Sequence, residues 1–523
     1  MTVARHVVLV GFMGAGKTTA AHALARTSGQ AVIDVDEEIV RRDGRSIQEI
    51  FAADGEGAFR ELEERTALEV LDAPQPHVIS LGGGALGSES LRGALGAHRV
   101  VWIDIDPETA WARAAGRGRP LAQERDAFTA LHAQREPVYA AAADVVVPQA
   151  RVNGLAHVLE ALEGVPAGVR TLWATTPGAD AGDDYPAYVG PGLLATPEGE
   201  REREPFWPAP IRGRRFLVTD YNAGRLYGER VGRLDGRVTI MPGEQSKTVA
   251  HAEIVWSELA RGAMTRADIV VALGGGVVGD LAGFCAATYQ RGVRVVQVPT
   301  TLVAQVDSAY GGKTGVDLAE AKNYVGAFHQ PRAVIADTDA LGTLPAEELA
   351  AGYAEVVKTA LLAGGWLWDA VRAGAEPTAP EIVAGCAHHK LRVVASDERD
   401  TGPRQTLNLG HTVGHAIETV TGYARYRHGE AVGLGLLAAL RLSGADALRA
   451  EVRDLLAERG LPTELSDEVD PDAVVMATAR DKKRVGEGPV PFVLLTEPGA
   501  ARPGCAVSSG ELIAAVRELA KAS

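Results

Sequence analysis

Residues 11–18, GFMGAGKT, have the form G-x-x-x-x-G-K-[ST], between the apolar run HVVLV and the helix-like TTAAHALART. Glycines in such a loop expose backbone N–H groups to phosphate oxygens, Lys17 reaches the β/γ oxygens and Thr18 offers a hydroxyl to Mg²⁺. That pattern implies a nucleotide but no particular reaction. The acceptor must be held elsewhere, and AVIDVDEE places Asp34 and Asp36 two apart at the end of an apolar run. Both carboxylates can face a pocket at the carboxyl edge of a sheet, one supporting Mg²⁺ and the other taking a hydroxyl proton. Alone, Asp36-Glu37-Glu38 reads as an acidic helix start. Arg60 in FRELEE, the triplet Gly82, Gly83 and Gly84, Arg117 and Arg119 in RGRPL, and Arg135 in QREPVY move the reading toward an anionic acceptor.

A second triplet lies in DIVVALGGGVVGDLAGF, where a strand-like run meets a helix expected to begin near Val277. Bare backbone at such a turn can approach a pyrophosphate, although G-x-G-x-x-G is absent. Downstream, QVPTTLVAQVDSAYGGKTGVD and AKNYVGAFHQP gather small residues around Lys313, Lys322 and Asn323. GYAEVVK puts Glu355 and Lys358 three apart on one helix face, and LNLGHTVGHAIE puts His411 and His415 four apart on another. His428 follows in RYRHGEAVG. One carboxylate and two imidazoles suit Zn²⁺ with a position open for substrate, and spacing leaves open which two histidines take part.

These groups need scaffolds. At 523 residues the chain exceeds one ordinary core, and 46% hydrophobic with 23% charged residues is an ordinary globular balance. The net charge of -15 disfavours a polyanionic partner, so no nucleic acid is expected and an anionic substrate needs local Lys/Arg clusters. Three dispersed cysteines, Cys285, Cys386 and Cys505, fit a reducing cytoplasm, and no apolar run reaches the ~18 residues of a membrane span. The expected fold class is α/β: a P-loop domain with a parallel sheet, then a second α/β domain and a mostly α-helical metal and substrate domain, which the resemblances below make a kinase domain and an NAD-binding synthase. Their expected limits are 1–165, 168–337 and 338–523, with EGVPAG as the first linker and the charged stretch 196–210 as a surface loop.

P-loop, DxD, FR, GGGA, RPL and RxPxY occur in that order, and residues 5–162 resemble shikimate kinase. The resemblance implies that Gly14, Gly16, Lys17, Thr18 and Thr19 hold ATP, that Asp34 with Thr18 supports Mg²⁺, and that Asp36 orients the reacting hydroxyl. It places Arg60 and Arg135 on the shikimate carboxylate, Gly82, Gly83 and Gly84 against shikimate, Arg119 in a catalytic lid and Arg151 near the adenine. GEQSK, GGGVVGD, YQRGV, VPTTL, VDSAYGGKTGVD, KNYVGAF, GYAEVVK, DERDTGPRQTLNLGHTVGH, HGEAV and RDKK also occur in order, and about 170–523 resembles 3-dehydroquinate synthase.

The second resemblance implies Zn²⁺, with Co²⁺ as an alternative, on Glu355, His411 and His428, and catalytic roles for His415, Lys358 and Asp400, the last standing where the family usually carries Glu. It implies NAD contacts from Asp220, Asn222, Glu244, Lys247, Gly275, Gly276, Asp280, Thr300, Thr301 and Lys322. Substrate contacts would come from Arg291, Asp307, Lys313, Asn323, Lys358, Lys390, Arg404, Asn408 and one of Lys482 and Lys483. The expected function is phosphorylation of shikimate and conversion of DAHP to 3-dehydroquinate, with small-molecule partners, no membrane, and a homodimer through the synthase part. Two alternatives are a metal-dependent NAD polyol dehydrogenase in the second half, and a non-catalytic ATP sensor in the first.

Overall fold

The computed structural model describes residues 5–116, 121–176, 184–194, 205–318, 322–478 and 490–520. By compactness the chain divides into two units, Met1–Ala174 with Pro208–Pro210, and Thr175–Trp207 with Ile211–Ser523.

In the first unit strands and helices alternate: β1 (Val7–Val10), α1 (Lys17–Ser28), β2 (Ala31–Asp34), α2 (Val35–Asp43), α3 (Ile47–Leu71), β3 (His77–Ser80), α4 (Glu89–Leu95), β4 (Arg99–Asp104), α5 (Pro107–Ala114), α6 (Arg125–Ala142), β5 (Val145–Pro148), α7 (Leu155–Ala161) and β6 (Arg170–Ala174). The strands pair in parallel in the order β2-β3-β1-β4-β5-β6. VVLV of β1 is buried throughout, as expected of a parallel strand covered on both faces. The chain leaves β1 toward β2 on one side and reaches β4 on the other, which opens a crevice at the carboxyl end of β1, where the P-loop lies. β6 follows the EGVPAG linker in sequence yet pairs with β5, so the first unit runs to Ala174, past the expected limit at 165. RTLWA carries no hairpin or helix signal that would assign it to either neighbour.

The second unit continues with β7 (Tyr185–Gly190), β8 (Arg215–Asp220), α8 (Tyr221–Tyr227), β9 (Gly236–Ile240), α9 (Val249–Arg261), β10 (Ile269–Gly274), α10 (Gly276–Thr288), β11 (Arg294–Pro299), β12 (Lys313–Val316), β13 (Val325–Phe328) and β14 (Ala333–Asp337). Its parallel order is β7-β14-β11-β10-β8-β9, and β12 and β13 form a separate antiparallel pair. From β8 the chain moves outward to β9, and from β10 it moves the opposite way to β11. The order therefore reverses between β8 and β10, which is where open α/β sheets bind ligands. Val278, Leu281, Ala282 and Cys285 of α10 pack with Val218, Val270 and Ala272 of the strands beneath.

A largely helical part follows: α11 (Ala346–Ala363), α12 (Gly365–Arg372), α13 (Pro380–Ser396), α14 (His411–Val420), α15 (His428–Leu442), α16 (Asp446–Glu458) and α17 (Pro471–Thr478), then the antiparallel pair β15 (Phe492–Leu495) and β16 (Ala501–Cys505), and α18 (Ser509–Arg517). The stretch expected as a surface loop lies partly outside the described residues. Its end is anchored: Phe206 is buried edge-on against Tyr188, and Trp207 lies under Arg215 while its Nε1 donates to Ile211 O. Burial of these two aromatics outweighs the polar composition of the preceding residues. No helix of the described residues is long and apolar enough to cross a membrane.

Candidate active sites

In the first unit the P-loop turns on glycines at positive φ: 138° at Gly11, 85° at Gly14 and 88° at Gly16, which caps α1. A Cβ on Gly11 would stand 2.5 Å from Ile103 O, so glycine is required there both by conformation and by space. Lys17 Nζ donates to Gly11 O at 2.8 Å and Phe12 O at 3.2 Å, folded over the cradle it closes. Thr18 Oγ1 donates to Asp34 Oδ2 at 2.6 Å, which unites the two expected Mg²⁺ groups. Asp34 Oδ1 also caps α2 by accepting from the N–H groups of Asp36 and Glu37. That cap sets the direction in which Asp36 leaves the strand.

The triplet forms the opposite wall. A Cβ on Gly82 would meet Glu63 Oε1 at 2.0 Å and Asp36 Oδ1 at 3.0 Å, and one on Gly84 would meet Arg60 Cζ at 2.4 Å. Gly83 O accepts from Arg135 Nη1 at 2.9 Å and from Tyr139 Oη at 2.5 Å. Asp36, Arg60, the three glycines and Arg135 are thus drawn together as expected. Glu63 and Tyr139 join them without having been singled out. Glu63 is almost wholly buried, and Arg60 Nη1 donates to its Oε2 at 2.6 Å. Burial raises the Glu63 pKa above the usual carboxylate range against the pull of Arg60. The turn Gln149–Gly154, which carries Arg151, packs against α1. Arg117 and Arg119 lie outside the described residues.

In the second unit a cavity of about 1430 Å³ opens where the strand order reverses. Asp220, Asn222, Glu244, Lys247, Gly275, Gly276, Asp280, Thr300, Thr301 and Lys322 all line it, and so do Asp307, Lys313, Asn323, Lys390, Asp400, Arg404, Asn408, His411, His415 and His428. Asp220 ends β8 and caps α8, and Gly275 ends the β10 turn and caps α10, which begins at Gly276, one residue before the expected start. Arg291 does not line the cavity. It is exposed just past the far end of α10, fifteen residues after Gly276 and about 20 Å away along the helix. Lys482 and Lys483 lie outside the described residues.

Alternating charges run from the cavity wall, at Lys390 and Asp307, inward to Lys358 and Glu355, which are buried and do not line it, so Lys358 is not placed at the substrate surface as expected. Lys390 Nζ donates to Asp307 Oδ1 at 2.7 Å, Lys358 Nζ lies 3.6 Å from the same oxygen, and Lys358 reaches Glu355 Oε2 at 2.5 Å. Burial opposes the charge on Lys358, but the two carboxylates outweigh it and its pKa is raised. Lys390 has less support, and burial pushes its ammonium down to about 8. On the sheet side Lys247 Nζ pairs with Asp280 Oδ2 at 2.6 Å. Asp400 adopts a left-handed φ of 60° and accepts from Lys313 through Oδ2, while its Oδ1 is buried with no hydrogen-bond partner among the described residues.

Glu355 Oε1 is buried and makes no hydrogen bond of good geometry among the described residues, yet it stands 3.5 Å from His411 Nε2 and 3.3 Å from His428 Nε2. Ligand atoms of these three residues lie within 4.8 Å of one another. His411 Nδ1 is 3.2 Å from Leu409 O, and His428 Nδ1 is 3.3 Å from Glu418 Oε2. With each Nδ1 proton given to its oxygen, both Nε2 atoms would be left to face a cation beside Glu355 Oε1. One carboxylate and two imidazoles converging in this way are a donor set that fits Zn²⁺. His415, Glu418 and His428 form a second possible trio, but Glu418 is already engaged by Lys322 at 3.3 Å and by His428 Nδ1. Close helix packing makes the convergence possible: a Cβ on Gly429 would lie 1.8 Å from Ala351 O of α11, and one on Gly435 1.9 Å from Gly410 O at the start of α14.

Two α/β units, one ending its first strand in a phosphate cradle and the other pairing a sheet crevice with a His/Glu cluster, define a nucleotide-dependent phosphotransferase followed by a dinucleotide- and metal-site enzyme. Residues 13–164 match the shikimate kinase family, 237–351 the N-terminal part of 3-dehydroquinate synthase and 352–484 its C-terminal part. The 3-dehydroquinate synthase of Symbiobacterium thermophilum is 44% identical over 335 residues, 60% of this chain and 92% of the relative, and that of Halorhodospira halophila is 44% identical over 355 residues, 64% and 95%. Among solved structures, ValA, the 2-epi-5-epi-valiolone synthase of Streptomyces hygroscopicus subsp. jinggangensis with NAD⁺ and Zn²⁺ bound, superposes with a TM-score of 0.58 at 25% identity, covering 66% of this chain and 99% of that one. A 2-deoxy-scyllo-inosose synthase shares the fold, with a TM-score of 0.56 at 23% identity and the same coverage. The chain belongs to the 3-dehydroquinate synthase family and carries a shikimate kinase domain ahead of the synthase.

Proposed function

We propose that the first unit transfers the ATP γ-phosphoryl group to the 3-hydroxyl of shikimate, and that the second converts DAHP to 3-dehydroquinate with release of phosphate. The observation that carries the synthase reading is the buried Glu355 Oε1 facing the Nε2 atoms of His411 and His428, two residues that line a cavity that also takes in the β8/β10 crevice.

In the kinase, Lys17 and the P-loop amides neutralise the β/γ-phosphates, and Thr18 with Asp34 supports Mg²⁺. Asp36 orients the acceptor hydroxyl, and Arg60 and Arg135 hold the carboxylate as planar forks. Arg119 serves as the lid cation. A bare ATP sensor has no use for an acceptor wall of Asp36, Arg60 and Arg135 around three glycines.

In the synthase, Glu355, His411 and His428 would hold Zn²⁺, and Asp220, Gly275 and Lys247 would seat NAD⁺. Bound there, these groups supply reversible hydride acceptance and polarisation of the reacting oxygen. Lys313, Lys390 and Arg404 grip the anionic substrate, and His415 and Asp400 handle protons at the reacting carbons, while Lys358 stands behind the wall between Asp307 and Glu355. The neutral substrate of a polyol dehydrogenase would leave those cations without a purpose. Both domains suit a reducing cytoplasm, as do the free Cys285, Cys386 and Cys505. DAHP with a trace of NAD⁺, and separately shikimate with ATP, should each yield product. NADH should stay at trace level in the first assay, because the hydride returns to the substrate; NADH accumulating in step with product would reverse the synthase reading.

A further inference from the structure

Glu418 has no part in the roles above, yet its side chain is only 3% exposed and both of its oxygens are committed. Oε2 lies 3.3 Å from His428 Nδ1, and Oε1 lies 3.3 Å from Lys322 Nζ. Lys322 is itself fixed from two further sides, by Glu244 Oε1 at 3.4 Å and by the face of the Tyr423 ring at 4.3 Å. The chain thus holds one cation to hold one carboxylate, and that carboxylate faces the outer nitrogen of an imidazole.

The two imidazoles of the trio differ in how they are supported. His411 is 12% exposed, sits in the first turn of α14 and turns its Nδ1 to a backbone carbonyl. His428 is 37% exposed, opens α15 and has less packing to hold its ring. A carboxylate at Nδ1 supplies what packing does not, because a charge-assisted bond fixes both the tautomer and the ring plane.

We propose that Glu418 is a positioning residue of the metal centre, holding His428 as its Nδ1–H tautomer with Nε2 aimed at Glu355 Oε1, and that Lys322 keeps Glu418 turned to that task. This rests on the reading that Glu355, His411 and His428 take the metal. Glu418 itself lies outside the ligand set.

The test uses the full chain, stripped of metal, and Zn²⁺ titrated against a chromophoric chelator. Glu418→Ala should weaken Zn²⁺ binding by about 10–100-fold, the range found when such a partner of a ligating histidine is removed. Glu418→Gln, which keeps shape and an acceptor oxygen, should lose less and recover part of the affinity. Both should change the visible absorption of the Co²⁺-loaded protein, a signature of ligand geometry that a remote packing defect would leave unmoved. Wild-type Zn²⁺ affinity in Glu418→Ala with an unchanged Co²⁺ spectrum would overturn the proposal, provided His428→Ala loses the metal. If His428→Ala and His411→Ala both keep the metal, the ligand set itself is wrong and the proposal falls with it. If Glu418→Ala loses all Zn²⁺ while His411→Ala keeps it, Glu418 is a ligand and not a positioning residue.

Discussion

At the scale of single residues, short-range chemistry was the part that sequence carried well. Gly16, Lys17 and Thr18 act within one turn, and Asp34 and Asp36 within one strand end, so their types and spacing encode their geometry. Partners supplied from afar were not legible. Glu63 stands inside FRELEE with nothing in its spacing to mark it, and only the fold shows it buried beside Gly82. Lys390 has a pH consequence. Burial holds its ammonium pKa down to about 8, below the ordinary 10.5, so the free enzyme loses this cation as pH rises through that value. A group that must be charged to grip an anion then fails above its pKa and not below it. The kcat/KM of the synthase should fall above about pH 8, with kcat less affected; a flat kcat/KM profile from pH 7 to 9.5 would remove Lys390 from the binding set.

Elements explain why the metal trio was only half legible. Spacing put His411 and His415 on one face, but Glu355 lies 56 positions before His411, and α11, α14 and α15 bring it near only because glycine stands at their crossings. Gly435→Ala should push α15 off α14, since the new methyl would overlap Gly410 O, destabilising the unit by about 1–3 kcal/mol and lowering Zn²⁺ retention together. An unchanged Tm with full metal content would show that the crossing relaxes freely.

The strand starts of the first unit carry a different dependence. His6 Nδ1 accepts from the His77 N–H at 3.0 Å, His6 Nε2 faces Leu71 O at 3.1 Å, and His98 Nδ1 accepts from the His6 N–H. Burial lowers the pKa of both His6 and His98 below 6.5, with Arg5 adding to this at His98 and His77 at His6, while Asp144 faces Arg99 nearby. A lowered histidine pKa means that the unfolded chain binds more protons, so stability is full above about 6.5 and is lost as pH falls toward the folded values. Calorimetry of the full chain should show the transition that ADP shifts moving down between pH 7 and 5.5, and moving less in His98→Asn, which keeps an acceptor without titrating. Equal shifts in both proteins would dissociate the effect from this cluster.

For the molecule as a whole, the order of motifs revealed two enzymes in one chain, and composition put their seam at EGVPAG, where the kinase family match also ends, while the compact unit runs on through β6. EGVPAG has the residues of a linker, yet β6 beyond it completes the sheet of the first unit, because pairing with β5 buries Thr171 and Leu172 and no turn residue records that. A kinase fragment ending at 165 leaves β5 as an open edge, whereas one ending at 176 keeps it covered. The longer fragment should have the higher Tm; an equal Tm would show that β6 adds nothing to the first unit.

The central claim is that one chain holds two separate active sites, each complete within its own unit. Its most direct test is a crossed assay of both products in the full chain and in Lys17→Ala and His428→Ala. Lys17→Ala should lower shikimate phosphorylation on the order of 10²–10³-fold, by removing the cation on the β/γ oxygens, and leave 3-dehydroquinate formation within about twofold of the parent. His428→Ala should strip the metal, abolish 3-dehydroquinate formation and leave the kinase untouched. Loss of both activities in either variant, with the fold intact by circular dichroism, would contradict two independent sites.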